Sequence, residues 1–475
     1  MHHQTPLPAR PMPRSIALAL ALASSVAAAA PALAQPTAST HQLDAARHAA
    51  DPVHPDHLAG PAHVLRGTTP RPCRTVMGFL PYWVSPSSVR WNQLTHVACF
   101  DVRASASGTV SNPISWPWTS TIATARANNV KVLLTVSSFD PAINSAIVNS
   151  TTARANFATS LANLIRNTAD GVVLDLEGVN PAAPAAPWQN QMVGFVNDLR
   201  TRLNQQLVGS AYPAPLIYVA TPAWNWAGAA SGWNFAALAQ ASDGLFIMGY
   251  DYNGSWTGAS GPSSPLTGNS GINVTGTLTS QYAAARSAAG AKLILGVPYY
   301  GNQWQTATSA AFSSANAYTG SVLFSTAQAQ QLTFGRQWDT TTQTPWYRFQ
   351  TGSPATWSQV WYDDAQSLRA KFRLAKQQSL GGVGMWALTY DASRPELADV
   401  IASEFIAPCA CRADVDLSGL RNVEDIFIFL GRWFADCSPA QPGSPCFGSA
   451  ADFDGSGTRT VEDIFMFLSA WFAGC

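Results

Sequence analysis

Two carboxylates stand two residues apart in Asp170-Gly171-Val172-Val173-Leu174-Asp175-Leu176-Glu177, inside an otherwise apolar run. The run predicts a strand, on which alternate side chains share a face, so Asp175 and Glu177 point the same way as Val173 and Gly171. Crowded acids push each other's pKa values apart. One can then hold a proton near neutrality while the other stays ionised, as general acid catalysis requires. The competing reading is a surface strand end with two solvated acids. Imidazole is scarce: His96 is the only histidine after residue 70, and His41, His48, His54, His57 and His63 fall in an irregular Ala- and Pro-rich stretch. A Ser-His-Asp triad or a histidine-ligated zinc site in the main domain is thereby all but excluded, which leaves the chemistry to carboxylates and tyrosine.

These acids need a scaffold that brings distant residues together. Short apolar runs alternate with longer amphipathic segments from about residue 74 to 405, the pattern of repeated β/α units. Strands are predicted at Val76 to Leu80, His96 to Phe100, Val130 to Val136, Gly171 to Leu176, Leu216 to Thr221, Gly244 to Met248, Lys292 to Val297 and Gly382 to Trp386. Eight such runs fit a (β/α)8 barrel, an α/β fold whose chemistry sits at the C-terminal ends of its strands. Glu177, Tyr250 and Trp386 then converge on one face. Between the seventh and eighth strands lie roughly 80 residues, more than one helix needs, with Trp304, Trp338, Trp346, Tyr347 and Trp361 in or beside them; a small subdomain walling a cleft is expected. Trp224, Trp226, Trp256 and Trp304 follow predicted strands, where they serve either as stacking platforms or as ordinary packing. Asp170, at the base of its strand, reads as structural.

The chain has 475 residues, 47% of them hydrophobic, with 17 Trp, enough for one large domain and something smaller. Zero formal net charge and only 11% charged residues exclude an electrostatic footprint for nucleic acid or an anionic membrane, so a neutral partner is expected. Arg10 and Arg14, an apolar stretch from Ile16 to Ala30, and Ala32-Leu33-Ala34 predict a signal peptide over 1–34 and a secreted or extracellular protein, soluble or attached to the cell surface by other means. No transmembrane segment is predicted. Residues 35–70 read as a flexible linker, 71–407 as the main domain and 408–475 as a separate module.

Several ordered motifs resemble glycoside hydrolase family 18, the chitinase family, over essentially all of 74–405. The fourth-strand signature D-G-x-D-x-D-x-E reads DGVVLDLE, M-x-Y-D reads Met248-Gly249-Tyr250-Asp251, the seventh-strand segment reads KLILGVPYYG from Lys292 to Gly301, and GGVGMW ends in Trp386. The resemblance implies retaining, substrate-assisted hydrolysis of β-1,4 bonds next to N-acetylglucosamine, without a catalytic cofactor. Glu177 would protonate the leaving oxygen, while Asp175 and Tyr250 would orient the 2-acetamido group whose carbonyl oxygen attacks the anomeric carbon. Trp386 would floor the distorted sugar, with Asp251, Tyr82, Trp224 and Trp304 as further substrate-binding candidates. Val173 replaces the first Asp of the usual central pair, and VLLTVSSF stands where many chitinases have Ser-x-Gly-Gly. Both departures, with GFLPYW from Gly78 to Trp83, are similar to spore-cortex and peptidoglycan N-acetylglucosaminidases, so chitin, chitooligosaccharides and peptidoglycan glycan all stand as substrates. The alternatives are a lectin-like binder on the same barrel and a docking subunit whose barrel is incidental.

After Pro408, Asp414-Val415-Asp416-Leu417-Ser418-Gly419 with Asn422 and Asp425 recurs 38 residues later as Asp452-Phe453-Asp454-Gly455-Ser456-Gly457 with Thr460 and Asp463. Ligands at loop positions 1, 3, 5, 9 and 12 with Gly at 6 describe an EF-hand-type calcium loop. Each loop leads into a similar helix, and the pair resembles a dockerin-like module, which implies calcium and a cohesin-like partner; metal-free acidic turns and surface retention are the alternatives. Five of the seven Cys lie in 409–475, as suits an exported protein. Each helix is about 18 Å long, so its far Cys does not reach its own loop, and Cys411 with Cys475 and Cys437 with Cys446 are the expected bridges. Cys73 with Cys409 is the third, leaving Cys99 buried and free.

Overall fold

The computed structural model describes residues 38–59, 71–178, 187–225, 232–406, 413, 415, 421–435, 451, 453 and 459–473. Eight parallel strands close into a barrel: β1 (Thr75–Pro81), β2 (His96–Ala104), β3 (Lys131–Ser138), β4 (Gly171–Leu176), β5 (Leu216–Pro222), β6 (Gly244–Met248), β7 (Leu293–Pro298) and β8 (Gly382–Trp386). Closure comes from β1 pairing with both β2 and β8. Each expected strand is present. Helices cover the outside and side chains fill the inside, so the strands are buried on both faces and read as unbroken apolar runs. In the interior, Phe79 and Phe246 meet edge to face at 4.8 Å. Gly296 and Gly384 make room for Phe246, since a Cβ on either would lie 2.5 Å from its ring.

The long β7–β8 connection is the expected insert. Strands Ala315–Leu323, Tyr300–Thr306, Thr356–Trp361, Thr344–Thr351 and Gln337–Asp339 form, in that spatial order, an antiparallel sheet accompanied by helix Phe324–Phe334. Trp304, Trp346 and Trp361 make its own small core. The chain returns to the barrel through helix Ala365–Gln377, where Asp364 caps the N-terminus and Lys371 pairs with Asp363, both side chains being buried.

The C-terminal repeat folds with internal two-fold character. Helices Val423–Ala435 and Val461–Ala473 stack Phe429 on Phe467 at 4.0 Å, with Val415 and Phe453 beside them. The contacts are reciprocal: Trp433 Nε1 donates to the Thr460 carbonyl and Trp471 Nε1 to the Asn422 carbonyl. The proposed ligands Asp414, Asp416, Ser418, Asp452, Asp454 and Ser456, and the cysteines at 409, 411, 437, 446 and 475, lie outside the described residues. Cys99 is buried and free, and Cys73 is disulfide-bonded. Among the described residues no helix is long and apolar enough to cross a membrane.

Of the flexible linker expected over 35–70, residues 38–59 form ordered structure instead, and 35–37 and 60–70 lie outside the described residues. Thr40–Arg47 forms helix α1, and Pro55–His57 forms a 3-10 turn that packs on the barrel. His57 stacks on Trp118 at 4.0 Å and bonds Thr121 Oγ1 at 2.9 Å. The composition suggested disorder because α1 buries polar rather than apolar side chains.

Candidate active site

The two acids share a face, as strand alternation requires: His41 Nδ1 lies 2.9 Å from Asp175 Oδ2 and 3.6 Å from Glu177 Oε1. Just past β4, the Glu177 N–H donates to the Ser138 carbonyl at 2.9 Å, and Asn144 Nδ2 donates to the Glu177 carbonyl at 2.6 Å. Asp175 is fully buried and the Glu177 side chain is 14% exposed. Burial first, and the neighbouring Asp175 second, hold the Glu177 carboxyl well above the usual glutamate range, while the Ser39 hydroxyl, donating at 2.8 Å, pulls the other way. Asp175 Oδ1 is buried without a hydrogen-bond donor.

Tyr250, Asp251 and Trp386 join them at the same end of the barrel. The Tyr250 phenol is 2.6 Å from His41 Nε2, and burial raises its pKa well above the ordinary value. Asp251 takes a left-handed backbone conformation (φ 60°) and accepts from the Thr40 N–H at 2.7 Å, Thr40 Oγ1 at 2.8 Å and Tyr300 Oη at 2.5 Å. Burial raises the Asp251 carboxyl against the opposing pull of these donors. The Trp386 ring leans on the edge of Phe100 at 4.7 Å, and its other neighbour is the His41 imidazole, stacked at 3.8 Å and 28°. Trp386 Nε1 and Tyr390 Oη both donate to Asp44 Oδ2, at 3.0 and 2.8 Å.

Helix α1 therefore occupies the site. Ser39 caps it, its Oγ accepting from the Gln42 N–H at 3.0 Å. The buried face consists of Thr40, His41, Asp44 and Ala45. This overturns the expectation that imidazole is absent from the main domain's chemistry, because a histidine from the supposed linker lies between the two acids and the tyrosine. A sequence signal was present: Ser39-Thr-His-Gln42 has capping-box spacing.

The other expected residues divide. Tyr82 sits at the rim, its phenol donating to the His48 carbonyl at 2.5 Å. Trp224 is half-buried against the barrel core. Trp304 is not a sugar platform: it is fully buried inside the insert, packed with Trp346 and Trp361. Tyr300 from the same strand reaches the site instead, meeting Tyr250 at 6.1 Å. Asp170 is structural, accepting from the Val132 N–H at 2.8 Å. Val173 is buried in the barrel, and a carboxyl that the sequence reading missed, Asp101, lies on β2 at a register irregularity between Cys99 and Val102. Asp101 bonds Ser137, pairs with Arg103 and interacts electrostatically with Asp175; burial pushes its carboxyl up to about 6.

Residues 75–391 match the model of the family Glycosyl hydrolases family 18. The chain is 26% identical over 307 residues to the cortical fragment-lytic enzyme of Bacillus anthracis, covering 62% of this chain and 65% of that protein. It is 28% identical over 283 residues to an endochitinase of Brugia malayi, covering 55% and 54%. The chain spans about half the length of such relatives. Among solved structures, the Group IV chitinase of Ostrinia furnacalis in complex with allosamidin superposes with a TM-score of 0.61 at 19% identity, covering 70% of this chain and 97% of that one, a likeness of fold.

Proposed function

The chain belongs to glycosyl hydrolase family 18, and from that premise we propose that it hydrolyses β-1,4 bonds next to N-acetylglucosamine in chitin, chitooligosaccharides or peptidoglycan glycan. The observation that carries this reading is the convergence of Glu177, Asp175 and Tyr250 over the Trp386 ring at the C-terminal mouth of the barrel. Glu177, whose pKa burial and then Asp175 raise, donates its proton to the leaving glycosidic oxygen. The nucleophile is the substrate's own acetamido oxygen, which Tyr250 holds by a hydrogen bond. Asp175 receives the acetamido N–H and stabilises the positive charge that develops on it. Glu177 then takes a proton from the incoming water, and the product keeps its anomeric configuration.

The test is product analysis of wild type and Glu177→Gln on chitooligosaccharides and purified peptidoglycan, repeated in a His41→Ala background so that Trp386 is uncovered. Loss of the acid should slow hydrolysis by about 10²–10⁴-fold. If no form cleaves either substrate, or if Glu177→Gln cleaves as well as its parent, the assignment fails.

The proposal extends to secretion and to a calcium-dependent docking role for the C-terminal pair. Asp425 and Asp463, at loop position 12 of each repeat, are fully buried; Asp425 accepts from the Val415 and Asn422 N–H groups, and Asp463 from that of Thr460. Buried, oriented carboxylates fit the hard-oxygen donor set of a calcium loop, in which Asn422 and Thr460 also belong. Exposed Val423, Phe427 and Phe434, repeated as Val461, Phe465 and Phe472, support docking onto an apolar surface of a cohesin-like protein.

A further inference from the structure

We infer that the cleft takes a second class of ligand, a helical peptide, and that Ser39–Arg47 is that peptide, an inhibitor carried on the same chain that mimics the acetamido sugar. The inference rests on the reading of the cleft as a sugar site. Each group assigned to the reaction is engaged by an atom of this segment: Glu177 by Ser39, Asp175 and Tyr250 by His41, Asp251 by Thr40 and Trp386 by both His41 and Asp44. The imidazole reproduces the polarity of an acetamido group. In its Nδ1–H tautomer the ring donates to Asp175 Oδ2 at 2.9 Å and accepts from the Tyr250 hydroxyl at 2.6 Å. That is the order in which an acetamido group presents N–H to Asp175 and C=O to Tyr250. The flat ring meanwhile covers Trp386, where a pyranose face would lie. Trp386 and Asp175 are both 0% exposed and Tyr250 is 3% exposed, so peptide and sugar exclude each other.

Local helix stability does not account for the placement. An eight-residue helix is marginal alone, and the face it buries, Thr40, His41, Asp44 and Ala45, is polar but for one small alanine, so the site supplies what holds it. The following chain is tethered: Tyr82 Oη donates to the His48 carbonyl, the His54 N–H donates to the Tyr82 carbonyl at 2.8 Å, and Thr119 Oγ1 donates to the Leu58 carbonyl at 2.7 Å. Tethering raises the local concentration of the peptide to about the millimolar range, so modest intrinsic affinity suffices for occupancy.

The experiment uses the full chain as wild type, as the double variant His41→Ala/Asp44→Ala and as Leu43→Pro, which unwinds α1 at a residue that is 37% exposed. Folding is checked by melting, and Leu43→Pro serves if the double variant does not fold. A synthetic peptide of residues 38–50 is titrated calorimetrically into each protein, alone and against N-acetylglucosamine tetramer, and hydrolysis is measured in parallel. The expected result is that the peptide binds the opened variants in competition with the tetramer, does not bind wild type, and that the opened variants hydrolyse at least about tenfold faster than wild type. Equal tetramer binding by wild type and variants, with no peptide binding to any, overturns the inference while leaving the hydrolase reading intact if hydrolysis is seen. Competitive peptide binding without hydrolysis by any form supports the peptide site and instead removes the hydrolase reading.

Discussion

Acid should loosen the anchor that follows α1, and His57 sets the window. Its imidazole is buried against Trp118, with Thr121 on Nδ1 and with His54 and Asp56 as the nearby charges. Burial is the largest cause of a fall in its pKa from 6.5 to about 4, with His54 adding to the fall and Asp56 opposing it. The folded value lies below the unfolded one, so the docked form is favoured above pH 6.5 and that stability drains away as the pH drops toward 4. Linkage from these two values gives a loss of about 2 kcal/mol between pH 7 and pH 5, and about 3 kcal/mol by pH 4. His96 is buried with its pKa also lowered to about 4, so a global melt mixes the two groups. The assay is therefore local: NMR titration of the His57 ring, with amide hydrogen exchange of residues 54–59 at pH 7 and pH 5. Protection there should fall by about thirtyfold in wild type, the equivalent of that 2 kcal/mol, and stay flat in His57→Phe, which keeps the ring contact with Trp118. A His57 ring that titrates near 6.5, or equal loss of protection in His57→Phe, refutes the reasoning.

Lys371→Met should destabilise the barrel by about 3–5 kcal/mol in urea unfolding, because it strands Asp363 as a buried, unpaired acid, and adding Asp363→Leu should recover most of that loss. Trp304→Ala should cost about 3–5 kcal/mol by opening the insert's core, yet leave KM for chitooligosaccharides unchanged in protein that remains folded; a raised KM would return Trp304 to the cleft. In the wild-type chain, with α1 seated, the Glu177 carboxyl should stay protonated to a pH well above 4.5, read from its carboxyl stretch in infrared difference spectra against Glu177→Gln. Titration of that carboxyl near 4.5 would contradict burial and Asp175 as the causes of the raised value.

The barrel and its acids were legible for a physical reason. Strands covered on both faces must be apolar throughout, so carboxylates at Asp175 and Glu177 stood out against Val172, Val173 and Leu174, and two-residue alternation put them on one face. Placement failed where the direction of a side chain depended on a partner remote in sequence. Trp304 follows a barrel strand, as a stacking platform should, but four residues further along the same strand face than Tyr300 it meets Trp361 and Trp346 of the insert, while Tyr300 at the strand's start meets Asp251. Asp101 was hidden by a register shift that no alternation count reveals.

Helix α1 shows the deeper limit of reading by hydrophobic pattern. A helix that covers a core writes its contacts as an apolar stripe, but one that covers a polar site writes them as Thr, His and Asp, the residue types taken to signal solvent. Its only local mark was the Ser39 to Gln42 capping spacing, which says that a helix starts and not what it meets. The same polarity explains how one face can bind this site and still be displaced from it. Hydrogen bonds traded for water or sugar contribute little net energy each, so occupancy depends on many of them acting together through the tether, and losing His41, which contacts Asp175, Tyr250 and Trp386 at once, should release more than any other single change in the segment.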